Sequence, residues 1–318
     1  MTSSPAFAAT RWGALLILAG TLTTGAQDFD FTLDDLVEQG QRWAEENLDP
    51  NVLRALGQVD GQKVRRLLDQ LQQSLQADSV VDLAAMREAA MAALPLLEQH
   101  PETRPYAAWL KSRLDYLDAA DTYRASLPPT VVEPGRALQP QPNPEPAALR
   151  MTWQKRMEKQ KPPPGGQSMA AQLKPVFARH GVPQELVWLA EAESSFDPAA
   201  RSPVGAVGLY QLMPRTAQSL GLALRPADER LNPERNAAAA ARYLKYLHGR
   251  FKDWPLALAA YNAGEGKVRA LLNTQRATTF DQIARKLPAE TQMYVPKFDA
   301  ILRQREGVSL NKLPPPAG

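Results

Sequence analysis

The chain of 318 residues is long enough for about two domains with a sizeable core. Its 44% hydrophobic and 22% charged residues are typical of a globular protein, and a net charge of +3 without clusters of Lys or Arg argues against nucleic-acid binding. The absence of cysteine excludes disulfides, thiol catalysis, thiolate metal sites and cysteine-linked lipid anchors. The three histidines, His100, His180 and His248, do not have the spacing of metal ligands, so we expect neither a metal nor another cofactor.

Residues 1–26 have the pattern of a secretory signal peptide. Arg11 precedes a short apolar run over residues 12–22, and the Thr-Gly-Ala sequence at 24–26 supplies small residues at a plausible cleavage position. The run is too short to span a bilayer comfortably, which favours a cleaved signal. The weak positive charge before it leaves an uncleaved signal anchor as the alternative. In both cases we expect an exported protein.

Residues 27–126 are predicted to form an N-terminal region of four helices. The first begins near Thr32, and the second follows Gly61 with apolar residues at i, i+3 and i+4 spacing. Ser79 is placed to cap the third, and the fourth runs from Tyr106 to about Ala125. This region has no glycine-rich loop and no polar constellation, so its function is left open, with a protein partner as one candidate.

Residues 127–165 are predicted to be a Pro-rich linker. Seven prolines between positions 128 and 146 favour an extended polyproline II conformation that serves as a spacer or a strap. Within the linker, residues 151–161 have the composition of a short basic helix containing Trp153. At the other end of the chain, residues 306–318 are predicted to be a disordered tail.

The stretch Gly181–Leu220 begins as an apolar helix and then becomes a loop rich in Ser, Pro and Gly. Leu186, Leu189 and Ala190 recur at helical spacing, and Glu193 projects within about 60° of all three at ~100° per residue. Glu191 points the opposite way, towards solvent. A carboxylate on an apolar face is costly unless something uses it, so Glu193 is either a functional acid or a helix-end residue bonded to nearby backbone.

Further polar residues lie at the ends of apolar helices later in the chain. They are Tyr261 with Asn262, and Glu290 with Tyr294, while the loop after Glu193 adds Ser202 and Gln211. Polar groups that arrive at helix ends from separate segments are suited to a cleft between packed helices. An amide side chain such as that of Gln can both donate to and accept from an N-acetyl group. From spacing alone, a site for an N-acetyl sugar is only a suggestion.

Four ordered sequences make a specific resemblance: ESSFDPAARSPVGAVGLYQLMPRTA, NPERNAAAAARYL, LALAAYNAGEGKV and PAETQMYVPK. They resemble the motifs of the family 1 lytic transglycosylases, which share a fold with goose-type lysozyme, and most closely the D-type membrane-bound branch. The chain departs from that branch by lacking a lipid-anchoring cysteine and C-terminal glycan-binding repeats. The resemblance implies an all-α, lysozyme-like catalytic domain over residues 166–305, preceded by a separate helical region and the Pro-rich linker.

The resemblance also implies a reaction on peptidoglycan glycan strands, the expected partner. Glu193 would act as the single acid/base that protonates the oxygen between N-acetylmuramic acid and N-acetylglucosamine. It would then deprotonate the muramoyl C6 hydroxyl, which attacks C1 and leaves a 1,6-anhydro end. Burial of Glu193 on an apolar face should raise its pKa. Membrane association is expected only if the signal segment is retained.

The remaining site residues are carried over from the same motifs. Ser202, Gln211, Tyr261 and Tyr294 would line the cleft and hold the N-acetyl groups and the ring, and Tyr261 with Asn262 would stabilise developing positive charge. Glu290 matches a motif position, but a Glu in the first turn of a helix is also favoured for capping reasons. Two alternative functions stay open: a muramidase that hydrolyses the same bond, and a module that binds glycan without cutting it.

Overall fold

The computed structural model describes residues 61–99, 101, 103–127 and 141–317, and all of them belong to one compact unit. The predicted signal peptide, the helix near Thr32 and the Pro-rich segment 128–140 lie outside the described residues. The described part of the chain contains α-helices and short 3-10 turns and no strand, which confirms the all-α prediction. The α-helices are α1 Gly61–Gln76, α2 Val80–Leu83, α3 Arg87–Gln99, α4 Arg104–Ser126, α5 Pro146–Met157, α6 Gly166–Arg179, α7 Leu189–Ser194, α8 Pro214–Ser219, α9 Pro233–Phe251, α10 Trp254–Ala263, α11 Glu265–Gln275, α12 Phe280–Ile283 and α13 Ala289–Glu306.

The described helices of the N-terminal region begin and end close to the predicted positions. Ser79 is the N-cap of α2, where its side chain accepts a hydrogen bond from the Asp82 N–H. α4 begins at Arg104 with a proline in its first turn, as expected of a residue whose missing N–H has no intrahelical partner there. These helices share one hydrophobic core with the rest of the described chain, from Leu68 to Leu313. The predicted domain boundaries stay a prediction, but α4 is part of the packing around the later helices.

The structure corrects the linker prediction for residues 141–157. The basic helix with Trp153 is present as α5, but it is packed and not a spacer. Leu149, Trp153 and Met157 recur every four residues and are all buried, and Trp153 makes an edge contact with Tyr116 of α4 at 5.6 Å between ring centroids. Trp153 is 0% exposed because this apolar face packs against α13 and α4. The high proline content predicted a spacer, although Leu149, Trp153 and Met157 form an apolar helix face that packs.

The predicted disordered tail is also wrong for the described residues after α13. Gly307 ends α13 in the left-handed conformation, and a 3-10 turn follows at Leu310–Lys312. The Trp254 indole N–H donates to the Pro314 carbonyl at 2.9 Å, and the Ala317 N–H donates to the Gly181 carbonyl at 2.8 Å. Prolines prevent a helix here, yet their carbonyls and apolar rings remain available, so the tail docks as an extended strap.

Within the described residues, none of the helices combines the length and the apolar character needed to cross a membrane.

Candidate active site

Glu193 is placed by a short helix that stops directly behind it. A 3-10 turn at Gln184–Trp188 leads into α7, and α7 ends because Ser195 and Phe196 adopt the left-handed conformation with φ of 53° and 61°. Two such residues in succession are strained, and they persist because the surroundings hold them. The Phe196 ring packs on the Trp188 ring at 5.5 Å, and the Ser194 hydroxyl donates to the Leu209 carbonyl at 2.9 Å. The turn therefore fixes where the Glu193 side chain points.

The Glu193 carboxyl group is buried and held by polar partners from two other helices. Only 3% of the residue is exposed, which confirms its place on the apolar face. The Tyr294 hydroxyl of α13 donates to Oε1 at 2.5 Å, and Arg113 Nη2 of α4 lies 3.4 Å from Oε2. Burial raises the pKa of Glu193 to about 7, against the lowering effect of Arg113 and of the Tyr294 hydrogen bond. Near neutral pH, the group is therefore poised between acid and base.

The helical pattern predicts that Glu191 points to solvent, and this prediction is wrong. It is 5% exposed, and both of its oxygens accept hydrogen bonds from Arg305 of α13, at 3.1 and 2.8 Å. Every residue of α7 is buried, so this short helix has no solvent face. A helical wheel separates two faces but cannot tell that both are covered. Glu191 is thus a buried ion-pair partner, distinct from Glu193 in its surroundings.

The loop that follows α7 holds Ser202 and Gln211 with their side chains turned into the loop. The Ser202 hydroxyl accepts the Ala206 N–H at 2.9 Å, and Gln211 Nε2 donates to the Ala200 and Gly208 carbonyls at 3.1 and 2.9 Å. Gln211 Oε1 is buried and accepts no hydrogen bond from the described residues. An unpaired buried acceptor is costly, so the absence of a partner for this oxygen calls for an explanation.

Two residues that were not predicted from the sequence, Asn236 and Arg230, form side-chain hydrogen bonds with the backbone of this loop. Asn236 is 0% exposed; its Oδ1 accepts the Tyr210 N–H and its Nδ2 donates to the Val207 and Arg230 carbonyls. Arg230 Nη1 donates to the Gly205 and Leu212 carbonyls, at 2.9 Å each. Asn236 belongs to the Ala-rich face of α9, where a polar residue among alanines was the available sequence signal.

Gly208 is required by the close approach of this loop to Arg230. A Cβ at Gly208 would lie 2.1 Å from the Arg230 carbonyl oxygen, and its φ is +86°. We expect Gly208→Ala to lower the free energy of unfolding by about 2–5 kcal/mol, because it adds left-handed strain to a backbone clash. Gly221→Ala is the matched control, since Gly221 has φ of +80° and open space around it, and should cost only about 1–2 kcal/mol. Urea unfolding measures both; equal losses would contradict the close approach.

Tyr261 and Asn262 lie at the end of α10, and Glu290 lies on α13, the helix that also carries Tyr294. The Tyr261 hydroxyl of α10 donates to the Tyr210 carbonyl at 2.6 Å, and Asn262 Oδ1 accepts from the Thr291 hydroxyl at 2.5 Å. Both residues are partly exposed at the end of α10. Glu290, in the first turn of α13, is 4% exposed and lies 3.2 Å from Arg113 Nη2. α10, α13 and the loop thus meet around α7, whereas the described contacts do not join Ser202 to Glu193.

Residues 176–283, which include Glu193 and the loop behind it, match the family described as Transglycosylase SLT domain. This part of the chain is an SLT domain. The chain is 39% identical over 127 residues to membrane-bound lytic murein transglycosylase D of Escherichia coli, covering 39% of this chain and 28% of that protein. It is 37% identical over 131 residues to the soluble lytic murein transglycosylase of Salmonella typhimurium, covering 37% of this chain and 20% of that protein. The chain therefore spans less than a third of the length of these relatives.

Solved structures of lytic transglycosylases are also similar to this chain, at lower sequence identity. An inactive mutant of lytic transglycosylase Slt from Pseudomonas aeruginosa aligns with a TM-score of 0.41 and 19% identity, covering 79% of this chain and 57% of that one. The 70 kDa soluble lytic transglycosylase of Escherichia coli aligns with a TM-score of 0.39 and 21% identity, covering 88% of this chain and 50% of that one.

Arg113, which touches Glu193, lies outside the SLT domain, on α4 of the N-terminal region. It is 5% exposed, and besides its contact with the Glu193 carboxylate, its Nη1 donates to the Glu193 carbonyl at 2.5 Å. The sequence pattern of α4 predicts no function, and Arg113 is not among the predicted site residues. A signal was present, because Arg113 lies three residues after Leu110 and four before Leu117, on the apolar stripe of α4.

A cavity of about 330 Å³ opens beside the left-handed turn that follows α7. Ser194, Ser195 and Asp197 line one side of it, and Arg104 and Lys111 of α4 lie on the other. A larger cavity of about 670 Å³ lies between α10, α13 and the docked tail, and none of the candidate site residues lines it. The candidate site residues do not line the smaller cavity either, but Ser194 and Ser195, which directly follow Glu193, do. Asp197 itself accepts the Ala199 N–H at 2.8 Å, a hydrogen bond by which an Asp side chain stabilises a turn.

Proposed function

We propose that the protein is a peptidoglycan lytic transglycosylase that cleaves the β-1,4 bond between N-acetylmuramic acid and N-acetylglucosamine. The observation that carries the proposal is the buried Glu193 carboxyl, with a pKa of about 7, behind the left-handed turn of an SLT domain. Such a group is largely protonated below neutral pH and readily gives and regains one proton, as a single acid/base requires.

In the proposed reaction, Glu193 serves both steps. The protonated carboxyl donates its proton to the glycosidic oxygen, and the bond from that oxygen to C1 of N-acetylmuramic acid breaks. The C6 hydroxyl of the same sugar attacks C1, and the Glu193 carboxylate takes the hydroxyl proton, which restores the starting acid. Oε2, whose contact with Arg113 is long at 3.4 Å, is the oxygen that we assign to this proton transfer. No water is consumed, and the nucleophile is delivered by the substrate itself.

Among the residues that the structure describes, we find no second carboxylate suited to activate a water molecule. Glycosidases that use water or a covalent intermediate pair two carboxylates across the bond. Glu290 is the other buried carboxylate in contact with Arg113, but it shares that guanidinium with Glu193. Asp197 is occupied by its own turn. These assignments favour transglycosylation over the muramidase alternative, and the protonated buried acid favours an enzyme over a module that only binds glycan.

The substrate contacts that we propose follow from free polar capacity near Glu193. Gln211 Oε1 has no partner among the described residues and is suited to accept the N–H of an N-acetyl group. Tyr261 and Asn262 are partly exposed at the end of α10, and we assign to them the stabilisation of positive charge on the sugar. Tyr294 orients Glu193 through its hydroxyl. Ser202 retains the weaker case, because its hydroxyl already accepts the Ala206 N–H.

Mass spectrometry of products from intact peptidoglycan sacculi tests the proposed function. We expect the full-length protein to release muropeptides that end in 1,6-anhydro-N-acetylmuramic acid. Reducing muramic ends would instead support the muramidase, and binding to sacculi without any release would support the binding module. The same digest with Glu193→Gln, purified in the same way, controls for contaminating enzymes.

We further propose that the protein acts on the cell wall after export, on the basis of the signal-like residues 1–26. Its relatives are named membrane-bound and soluble lytic murein transglycosylases. Retention of the signal segment would attach the protein to the membrane, and cleavage would release it. Mass determination of the mature protein distinguishes the two.

A further inference from the structure

We propose that Arg113 is a positioning residue of the active site. It holds Glu193 in place, and its positive charge is shared between Glu193 and Glu290. The consequence for catalysis rests on the proposed function, whereas the effect on Glu193 itself does not. The proposal gives α4, which lies outside the SLT domain, a defined part in the active site.

The geometry joins three buried charged groups through one guanidinium. Nη2 lies 3.4 Å from Glu193 Oε2 and 3.2 Å from Glu290 Oε1, and the latter is an ion pair without hydrogen-bond geometry. Nη1 donates to the Glu193 carbonyl at 2.5 Å and to the Ser112 hydroxyl at 2.7 Å. Arg113, Glu193 and Glu290 are 5%, 3% and 4% exposed. The planar fork of Arg thus fixes both the backbone and the carboxylate of Glu193, which a Lys could not do.

The groups next to Glu193 act on its protonation in opposite directions. Arg113 Nη2 contacts the carboxyl groups of both Glu193 and Glu290. Nearby Glu290 raises the pKa of Glu193 and Arg113 lowers it, both on top of the larger raising effect of burial. The pKa of Arg113 remains raised by the two carboxylates despite its burial, so its charge is constant. Arg113 and Glu290 therefore oppose each other at Glu193.

Groups from every packed helix contribute to this field. α4 supplies Arg113 and Tyr116, α10 supplies Tyr261, and α13 supplies Glu290, Tyr294 and Lys297. The pKa values of Tyr116, Tyr261 and Tyr294 are raised by burial, so these hydroxyls stay neutral at neutral pH. Burial lowers the pKa of Lys297, whose amine donates to the Ser112 carbonyl at 3.1 Å. Arg113 and Glu290 are the charged groups around Glu193 whose removal should have opposite effects.

The direct test is the titration of Glu193 by ¹³C NMR of the side-chain carboxyl in the full chain without substrate, assigned by the signal lost in Glu193→Gln. Arg113→Gln should raise the pKa of Glu193 by about 1 or more, since a cation within ~4–6 Å typically lowers a carboxyl pKa by about 1–3. Glu290→Gln should lower the pKa of Glu193. Arg124→Gln, at the exposed far end of α4, is the control and should leave it unchanged.

The alkaline limb of the pH profile of activity should shift in parallel with these titrations. Arg113→Lys keeps the charge and loses the fork, so it should lower kcat by about 10-fold or more with little shift of that limb. An unchanged pKa of Glu193 in both variants, or a shift in the same direction, overturns the proposal. If Arg113→Gln does not fold, Arg113→Lys decides, because an unchanged kcat in that variant overturns the positioning role. If the titrations shift as expected but wild type releases no product, the proposed function fails while the placement of Arg113 stands.

Discussion

Glu193→Gln is expected to reduce the rate of glycan cleavage by at least about 10²–10⁴-fold, the usual contribution of a positioned acid/base. The amide has nearly the same shape and can still accept the Tyr294 hydroxyl hydrogen bond at the Oε1 position, so the fold should persist. It has no proton of suitable acidity to donate and cannot take one from the C6 hydroxyl. Release of soluble muropeptides from sacculi, followed over time, measures the effect.

Glu185→Gln is the matched control for this substitution. Glu185 lies partly exposed in the 3-10 turn before α7 and is not among the candidate site residues. Its variant should clear sacculi at the wild-type rate within a factor of about two, because surface substitutions of this kind usually have small effects. If Glu193→Gln cleaved peptidoglycan at a rate similar to that of Glu185→Gln, the assignment of Glu193 as the acid/base would be wrong.

Glu193→Gln is also expected to stabilise the folded protein at alkaline pH relative to wild type. The pKa of Glu193 is raised from 4.5 to about 7 in the folded protein. Because folding favours the protonated form, the stabilisation from this group is complete below pH 4.5 and is lost as the pH rises through 7. Glu193→Gln cannot ionise, so its stability relative to wild type should increase by about 3 kcal/mol between pH 4.5 and pH 8.

Denaturant unfolding at a series of pH values measures that difference, and Glu191→Gln gives the contrast. Glu191 accepts hydrogen bonds from Nε and Nη2 of Arg305, and both side chains are about 5% exposed. Its variant leaves a buried cation unpaired and should lose roughly 3–5 kcal/mol near neutral pH. Two buried carboxylates, two residues apart on one helix, should thus respond in opposite directions. If the free energies of unfolding of wild type and Glu193→Gln changed in parallel with pH, the pKa of Glu193 would not be raised.

The contrast between Glu191 and Glu193 also shows what helical periodicity can predict. The pattern of Leu186, Leu189 and Ala190 placed Glu193 on the apolar face, and that is confirmed. It failed for Glu191 because a helix of six residues is covered on both sides by neighbours that no local pattern reveals. The same limit explains the tail, where Pro314 and Ala317 pair with Trp254 and Gly181, residues far away in sequence.

The ordered motifs brought Tyr261, Asn262, Glu290 and Tyr294 into the candidate site, and the structure places them on the two helices beside α7. Arg113 could not enter in that way, because it belongs to a helix outside those motifs and its contacts span 80 residues of sequence. A buried Arg on an apolar stripe indicates a buried anion somewhere, but the sequence alone does not say which one. Tertiary packing of α4 supplies that information.

Digestion of sacculi in ¹⁸O-labelled water tests the central claim most directly. In the proposed reaction, the C6 hydroxyl of the substrate displaces the leaving sugar and water takes no part. Mass spectrometry should therefore find 1,6-anhydro ends without ¹⁸O in the wild-type digest, and no such products with Glu193→Gln. Muramic ends that carry ¹⁸O at C1 would show hydrolysis and would contradict the account.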